Sequence, residues 1–462
     1  PESSTAKKEL FKKKIRYRAS QVALMDKIHA FIDFDLKHTD FLAEAQNGTG
    51  KTLSYLFSYA YQLSSLQKLV VATPTKVLQQ QIVTQEISQL NKVTQLNLQA
   101  EVVKSSSHYL DLDGFYQTLY SVNQNKANLI LQMRIIVWLT QTTTGDLDEL
   151  QLTTMNTPLF AFLKHPGDAR MGTDFSEVDF WNHARYNQEQ ADILVTNHAY
   201  LANHYLDSIW GQNPYLVVDE AHRFVDNVIN SNYHSLRFES FWGTLNHLKS
   251  LLIFSTENSN TDLLGQDLNL SLQSSEISKQ LLNVIASINE LQTLLYQSGM
   301  QESQITYKKQ HEIEIITTGE SLAPQLSEIL QVLKRLQEQI DLVRNSLNNL
   351  IDNLLQIGDS LLNSDQTLVD ELTVQIDRID LYAEDLYLFA DQIADPEKLN
   401  QRGFVLDITN QNDPLSTNIS WLNIDAREEL TKIYQRFQKR TFISATITNQ
   451  DDFSYSIQEL GL

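Results

Sequence analysis

At 462 residues the chain is long enough for more than one hydrophobic core, and two or three domains are expected. It contains no cysteine, which excludes disulfides, thiolate zinc sites and cysteine-ligated iron–sulfur clusters within it. Its 57 Asp and Glu against 36 Lys and Arg give a formal charge of -21, the wrong sign for coating nucleic acid through bulk charge.

Residues 1–14 are polar and Lys-rich and read as a linker or a frayed helix. They are not followed by the apolar core of a signal peptide. No run approaches the ~20 apolar residues that span a bilayer, so a soluble, cytoplasmic protein is expected. The next stretch, IRYRASQVALMDKI, is on its plain reading an amphipathic helix carrying Val22, Leu24, Met25 and Ile28. Beside a nucleotide site it has a second reading, with Tyr17 stacking on a base and Gln21 addressing an adenine edge.

Phe41–Thr52, FLAEAQNGTGKT, is the centre of the chain's chemistry. A short apolar strand leads into a glycine-bearing turn. Lys51 and Thr52 then open the apolar-periodic run LSYLFSYAYQL, a predicted helix. Strand, loop and helix in this order bind phosphate when the loop reads G-K-T. Glycines at 48 and 50 let backbone N–H groups converge on an anion, and the helix N-terminus adds its positive end. Lys51 reaches the outer phosphates and Thr52 ligates Mg²⁺. Ala45 departs from the strict pattern, which wants glycine there.

KLVVATPT (Lys68–Thr75) predicts a β-branched strand closed by a turn, and Lys76–Leu90 is helical by spacing. Further strands are expected at Leu98–Val103, Ala191–Asn197, Tyr215–His222 and Arg440–Thr446. Short apolar strands separated by helices predict an α/β fold, a parallel sheet covered on both faces. Two stretches interrupt this rhythm. Residues 105–190 carry WLTQTTTGDLDEL and no strand series, and an apolar core including Trp138, Leu139, Phe160 and Phe162 is expected there. Within 223–430, Ile329, Leu333, Leu336, Ile340, Val343, Leu347, Leu350, Leu354 and Ile357 alternate by four and three. A second series runs from Val369 to Ala390 and a weaker one lies around Leu281–Leu295. Such spacing predicts long helices in an intramolecular antiparallel bundle, with an intermolecular coiled coil as the alternative.

Val217-Val218-Asp219-Glu220-Ala221-His222 closes a strand with two carboxylates and a histidine. Asp219 is placed to hold Mg²⁺, and Glu220 to orient or deprotonate an attacking water. An acidic helix start is the plain alternative. Ser444-Ala445-Thr446 follows a third strand and reads as turn chemistry or as a coupling element to His222.

The ordered set YRASQ, AQNGTGKT, TPTK, TNHAYL, DEAH and SAT resembles the XPD-like helicases of superfamily 2, specifically the DinG type of Gram-positive bacteria, from about Arg16 to Leu462. The resemblance implies a RecA-like P-loop sheet: residues 1–104, 191–222 and 431–462. It implies a cysteine-free counterpart of the iron–sulfur domain at 105–190, with Asp111 where cluster-bearing members place their first cysteine. Residues 223–430 correspond to the arch-like helical insertion and return segment. By the same resemblance, Tyr17, Arg18 and Gln21 lie on the adenine side, while Gln46, Asn47, Gly48, Thr49, Gly50, Lys51 and Thr52 form the phosphate loop. Lys51, Asp219, Glu220 and His222 are catalytic, and Ser444, Ala445 and Thr446 couple hydrolysis to DNA movement. Thr73, Pro74, Thr75, Lys76, Lys104, Asn197 and His198 line the single-strand path. The implied cofactors are ATP and Mg²⁺ without an iron–sulfur cluster. The implied partners are single-stranded DNA and duplex junctions, bound by a monomer that moves 5′ to 3′. Some members carry an N-terminal 3′–5′ exonuclease domain, not expected within these residues, and the second RecA-like domain is expected after Leu462. An interaction module switched by nucleotide, with the arch as its binding surface, is the alternative function.

Overall fold

The computed structural model describes residues 18–33, 37–46, 48–64, 67–119, 126–150, 163–167, 175–257, 267–300, 305–307, 312–356, 363–400, 402–423, 425–448 and 452–462. Tyr17, Asn47, Phe160, Phe162 and Ile357 lie outside that set. The chain divides into two compact units, Pro1–Ser231 with Ala426–Leu462, and Asn232–Asp425.

The first unit is built on a six-stranded sheet in the order β1-β11-β5-β2-β4-β3. These strands are β1 (Asp40–Glu44), β2 (Leu69–Thr73), β3 (Ala100–Val102), β4 (Ile193–Asn197), β5 (Tyr215–Asp219) and β11 (Lys439–Ser444). All five pairings are parallel. Leu69 and Val71 pack into the core on one face while Val70 and Ala72 pack into the core on the other, and none of the four is exposed. That two-sided burial is why these strands read as continuous apolar runs. Register sets Glu44 beside Ser444, Ile443 beside Asp219, and Thr73 beside Asn197. The C-terminal ends of five strands therefore share one edge, where open α/β sheets place their ligands.

Between β3 and β4 the first unit carries a small helical elaboration, with helices Leu112–Leu119, Lys126–Leu139 and Phe180–Gln190. Its core is Leu110, Phe115, Ile135, Leu147, Leu150 and Leu163, with Trp138 and Leu139 only partly buried against it.

The second unit contains the long helices Leu268–Gly299, Leu326–Leu355 and Asn363–Ala394, together with Phe238–Glu257. Of the four-three series, all eight described residues from Ile329 to Leu354 are buried within the chain. Polar pairs fix an antiparallel sense. Ser287 donates to Gln339 (2.8 Å), and Asn353 donates back to Gln273 (3.2 Å). The expected unit is mostly helical, and the structure adds strands that the spacing did not predict. A five-stranded antiparallel sheet, order β6-β10-β9-β8-β7, also belongs to this unit. Its strands are β6 (His234–Leu236), β7 (Ile305–Tyr307), β8 (Ile313–Thr318), β9 (Arg402–Ile408) and β10 (Thr417–Asn423). Among the described residues, no helix is long and apolar enough to cross a membrane.

Candidate active site

The loop after β1 is shaped by its two glycines. Gly48 (φ 80°) and Gly50 (φ 87°) both sit in the left-handed region. A Cβ on Gly50 would lie 2.3 Å from the Gln21 amide nitrogen, so a side chain there would displace the Gln21 amide besides straining the backbone. Gln21 is buried and donates to the Gly50 carbonyl (3.2 Å), and the Arg18 guanidinium donates to the Gly48 carbonyl. The described part of YRASQ therefore clamps the phosphate loop, a role its residue types did not announce. Ala45 is not among the positive-φ residues, and its N–H donates to the Ser444 carbonyl (2.9 Å). This position does not need glycine.

The helix Lys51–Ala60 starts directly after Gly50, burying Leu53, Tyr55, Leu56, Phe57 and Tyr59. Lys51, in its first turn, is only 8% exposed, and its ammonium meets a Glu220 carboxylate oxygen at 2.8 Å. Glu220 follows β5 with φ 52° and ψ 49°, a left-handed conformation costing about 1–2 kcal/mol for a residue with a side chain. Backbone strain of this kind concentrates at functional sites. It turns the carboxylate toward both Lys51 and Ser444. The Ser444 hydroxyl stands 3.5 Å from Glu220 and 2.6 Å from His222 Nδ1, and accepts from the Thr446 N–H (3.2 Å). β11 lies between β1 and β5, so Ser444 bridges the phosphate-loop strand and the carboxylate strand.

Asp219 is 6% exposed. Burial pushes its carboxyl up to about 6, with Lys51 pulling down and Glu220 pushing up. Tyr55 donates to it (3.1 Å), as does the Glu220 N–H (3.0 Å). Tyr55 is hydrogen-bonded to both Asp219 and Thr52, and a buried carboxylate with a threonine hydroxyl is a hard-oxygen pair of the kind Mg²⁺ takes.

The residues expected along a strand path separate into two groups. Pro74, Thr75 and Lys76 are partly or fully exposed, with the Thr75 hydroxyl capping the following helix at Leu78 N (3.4 Å). Thr73 and His198 are buried. His198 Nε2 bonds the Asp219 carbonyl (3.0 Å) and its Nδ1 faces the Asn227 amide (3.0 Å). Burial drives its pKa down to about 4, so the ring is neutral and braces the end of β5. Asn197 caps the helix His198–His204 by accepting from Tyr200 N–H (2.6 Å). Lys76 and Lys104 are engaged by acidic residues of the helical elaboration, Asp148 and Asp146.

A family model for the DEAD/DEAH box helicase matches residues 24–152. The protein named 3'-5' exonuclease DinG of Staphylococcus saprophyticus is 25% identical over 460 residues, covering 95% of this chain and 46% of the relative. Its counterpart in Staphylococcus epidermidis is 24% identical over 468 residues with the same coverage. That of Staphylococcus aureus is 29% identical over 229 residues, covering 48% of this chain and 24% of the relative. The chain spans about half the length of the first two relatives. Among solved structures, the chain is similar to S. tokodaii Xpd4 with a TM-score of 0.37 at 10% identity, covering 95% of this chain and 59% of that one. Residues 24–152 thus match the DEAD/DEAH box helicase family, and the chain as a whole is similar to the DinG proteins.

Proposed function

We propose that the first unit is the first RecA-like motor domain of an ATP-dependent DNA helicase, binding ATP with Mg²⁺ and one face of single-stranded DNA. The observation that carries this reading is the buried Lys51–Glu220 pair at 2.8 Å, joined through Ser444 to His222. It gathers a phosphate-seeking cation, a carboxylate able to orient water and a coupling hydroxyl at one sheet edge. In this reading the glycine-loop amides and the helix N-terminus hold the phosphates, and Lys51 leaves Glu220 to face the outer ones. Thr52 and Asp219 would hold Mg²⁺, whose charge would neutralise the phosphate oxygens. Glu220, once freed, accepts the proton of the attacking water. Arg18 and Gln21 keep the loop open on the adenine side. Residues 105–190 stand in for the iron–sulfur domain without a cluster, and the second unit corresponds to the arch. Movement from 5′ to 3′ follows from the family resemblance.

A helicase turns over when two lobes close on nucleotide and strand, and an arginine from the second contributes ~10³–10⁵ in rate. The described residues supply one such sheet. Residues 1–462 alone therefore bind nucleotide but hydrolyse it near background and do not unwind duplexes. Calorimetric titration with ATP–Mg²⁺ tests the reading. Lys51→Ala should weaken binding by about 100-fold or more, on the order of 3 kcal/mol, while Glu220→Gln retains it. Unchanged affinity in Lys51→Ala overturns the assignment.

A further inference from the structure

The WLTQTTTGDLDEL stretch has no part in the chemistry above, yet it forms a closely built loop. Glu149 accepts from the hydroxyls of Thr142 (2.9 Å) and Thr144 (2.6 Å) and from the Trp138 indole (2.9 Å). The Gly145 N–H donates to Thr142 (3.0 Å), and the Leu110 N–H donates to the Gly145 carbonyl (2.9 Å). Gly145 has φ 65°, and a Cβ there would sit 2.1 Å from the Phe180 ring. Leu147 and Leu150 are buried in the local core.

Held this way, the loop delivers two carboxylates to the two lysines that border the sheet edge. Asp148 meets Lys76 at 2.8 Å and Lys104 at 3.5 Å, and Asp146 closes on Lys104. His108 Nδ1 stands 3.3 Å from Asp148. The Lys76 side chain is half exposed, whereas that of Lys104 is 12% exposed. We propose that Asp146 and Asp148 are specificity-determining residues for the nucleic-acid path: they hold Lys76 and Lys104 as internal counter-charges that only a chain of adjacent phosphates displaces, and the displacement loosens the loop.

This inference rests on the reading that the two lysines border a strand path. A lone phosphate exchanges one ion pair for another and gains little. A polyanion adds the release of its condensed counterions, a slope of about 0.7 in log–log salt dependence for each phosphate neutralised on a single strand. The acidic pair thus discriminates by length, binding long single strands while rejecting short oligonucleotides and free phosphates.

The test uses residues 1–462 and fluorescence polarisation with a 12-mer and a 3-mer of oligothymidylate across a salt series. Asp146→Asn/Asp148→Asn should bind both oligomers about three- to tenfold more tightly, because the half-exposed Lys76 and the largely buried Lys104 lose their competing carboxylates, with the larger gain for the 3-mer. Its salt slope should steepen by about one, because no freed carboxylates recapture cations. Asp148→Asn alone leaves Asp146 Oδ1 accepting from the residue-148 N–H (3.1 Å) and should give a smaller gain in the same direction. In the unsubstituted chain, the 12-mer should raise hydrogen exchange across 142–150, a response that holds even where the double variant folds poorly. If Lys76→Ala/Lys104→Ala binds the 12-mer as the parent does, or the parent binds none, the strand-path reading fails and this inference with it. If the lysine variant weakens binding while the aspartate variants do not strengthen it, or exchange across the loop is unmoved, this inference alone fails.

Discussion

The two units differ in what they do with charge. Residues 232–425 hold 28 acidic against 11 basic side chains, net -17, while the remainder holds 29 against 25, net -4. The formal charge of -21 is therefore mostly a property of the second unit. Judged by the whole chain, nucleic-acid binding has the wrong sign. Judged by unit, the one bearing the phosphate loop is nearly balanced, and the acidic one disfavours polyanions. The interiors differ as well. Among its described residues the second unit buries no ionisable side chain, only neutral polar ones such as Ser287 and Gln375, whereas the first buries Lys51, Asp219 and His198 at its sheet edge. Buried ionisable groups reduce stability where function needs them.

The largest effect that could break this comparison is expected from Leu336→Glu, which places a charge at a fully buried seam position of the second unit. An unpaired buried charge costs about 3–5 kcal/mol. Circular dichroism should show that helix content melts early while calorimetric ATP binding by the first unit persists. Loss of both together would mean that the units fold as one. Next in size is Gly50→Ala. The left-handed backbone and the 2.3 Å approach of Gln21 together predict a loss of about 2–3 kcal/mol confined to the first unit. Nucleotide affinity should fall with it, and a thermal melt unchanged from the parent would refute the clamp described for Gln21.

The smallest effect sharpens the contrast and is expected from Asp219→Asn. The folded-state pKa of about 6 lies above the ordinary 3.8, so the folded chain holds this proton more tightly than the unfolded one. Stability accordingly declines as pH rises from about 4 to about 6, and the full penalty is present above that window. At pH 7 the asparagine variant should be more stable by about 1–2 kcal/mol, with no such decline, and should lose the Mg²⁺-dependent part of nucleotide binding. A parent melting temperature flat across pH 4–6, or a destabilised variant, would show that Tyr55 and Lys51 already compensate the buried carboxylate.

Legibility in the sequence followed the range of the interaction. The parallel strands, the G-K-T loop and the four-three seams are local patterns, and each was readable from composition and spacing. The antiparallel sheet of the second unit was missed although a signal existed. RGFVLDI alternates in burial, TNISWLN does so except at the buried Ser420, and the two flank the turn Asn410-Gln411-Asn412-Asp413-Pro414. Their setting among long helices hid it. The site was legible by residue type but not by partner. His198 is a polar residue at a strand end, and only its packing against Phe224 and Asn227 makes it structural. Lys76 and Lys104 read as free cations because the aspartates that hold them lie 72 and 42 residues away in sequence.

The placement of β11 has a temporal meaning. This strand fills the gap between β1 and β5, yet its pairing with β1 joins Asp40 to Arg440, 400 residues apart. At ~5–20 residues per second, the roughly 220 residues between β5 and β11 occupy a ribosome for about ten to forty seconds. Throughout that interval β1 and β5 each lack the neighbour that separates them, and unpaired parallel strands invite association with other chains. Helical segments of the second unit, rich in local contacts, are able to form during the wait. Ser444, the hydroxyl that stands between Glu220 and His222, is synthesised only after the whole second unit. A nascent chain stalled inside the second unit thus carries β1 with its glycine loop and β5 with its carboxylates without the strand that brings them together.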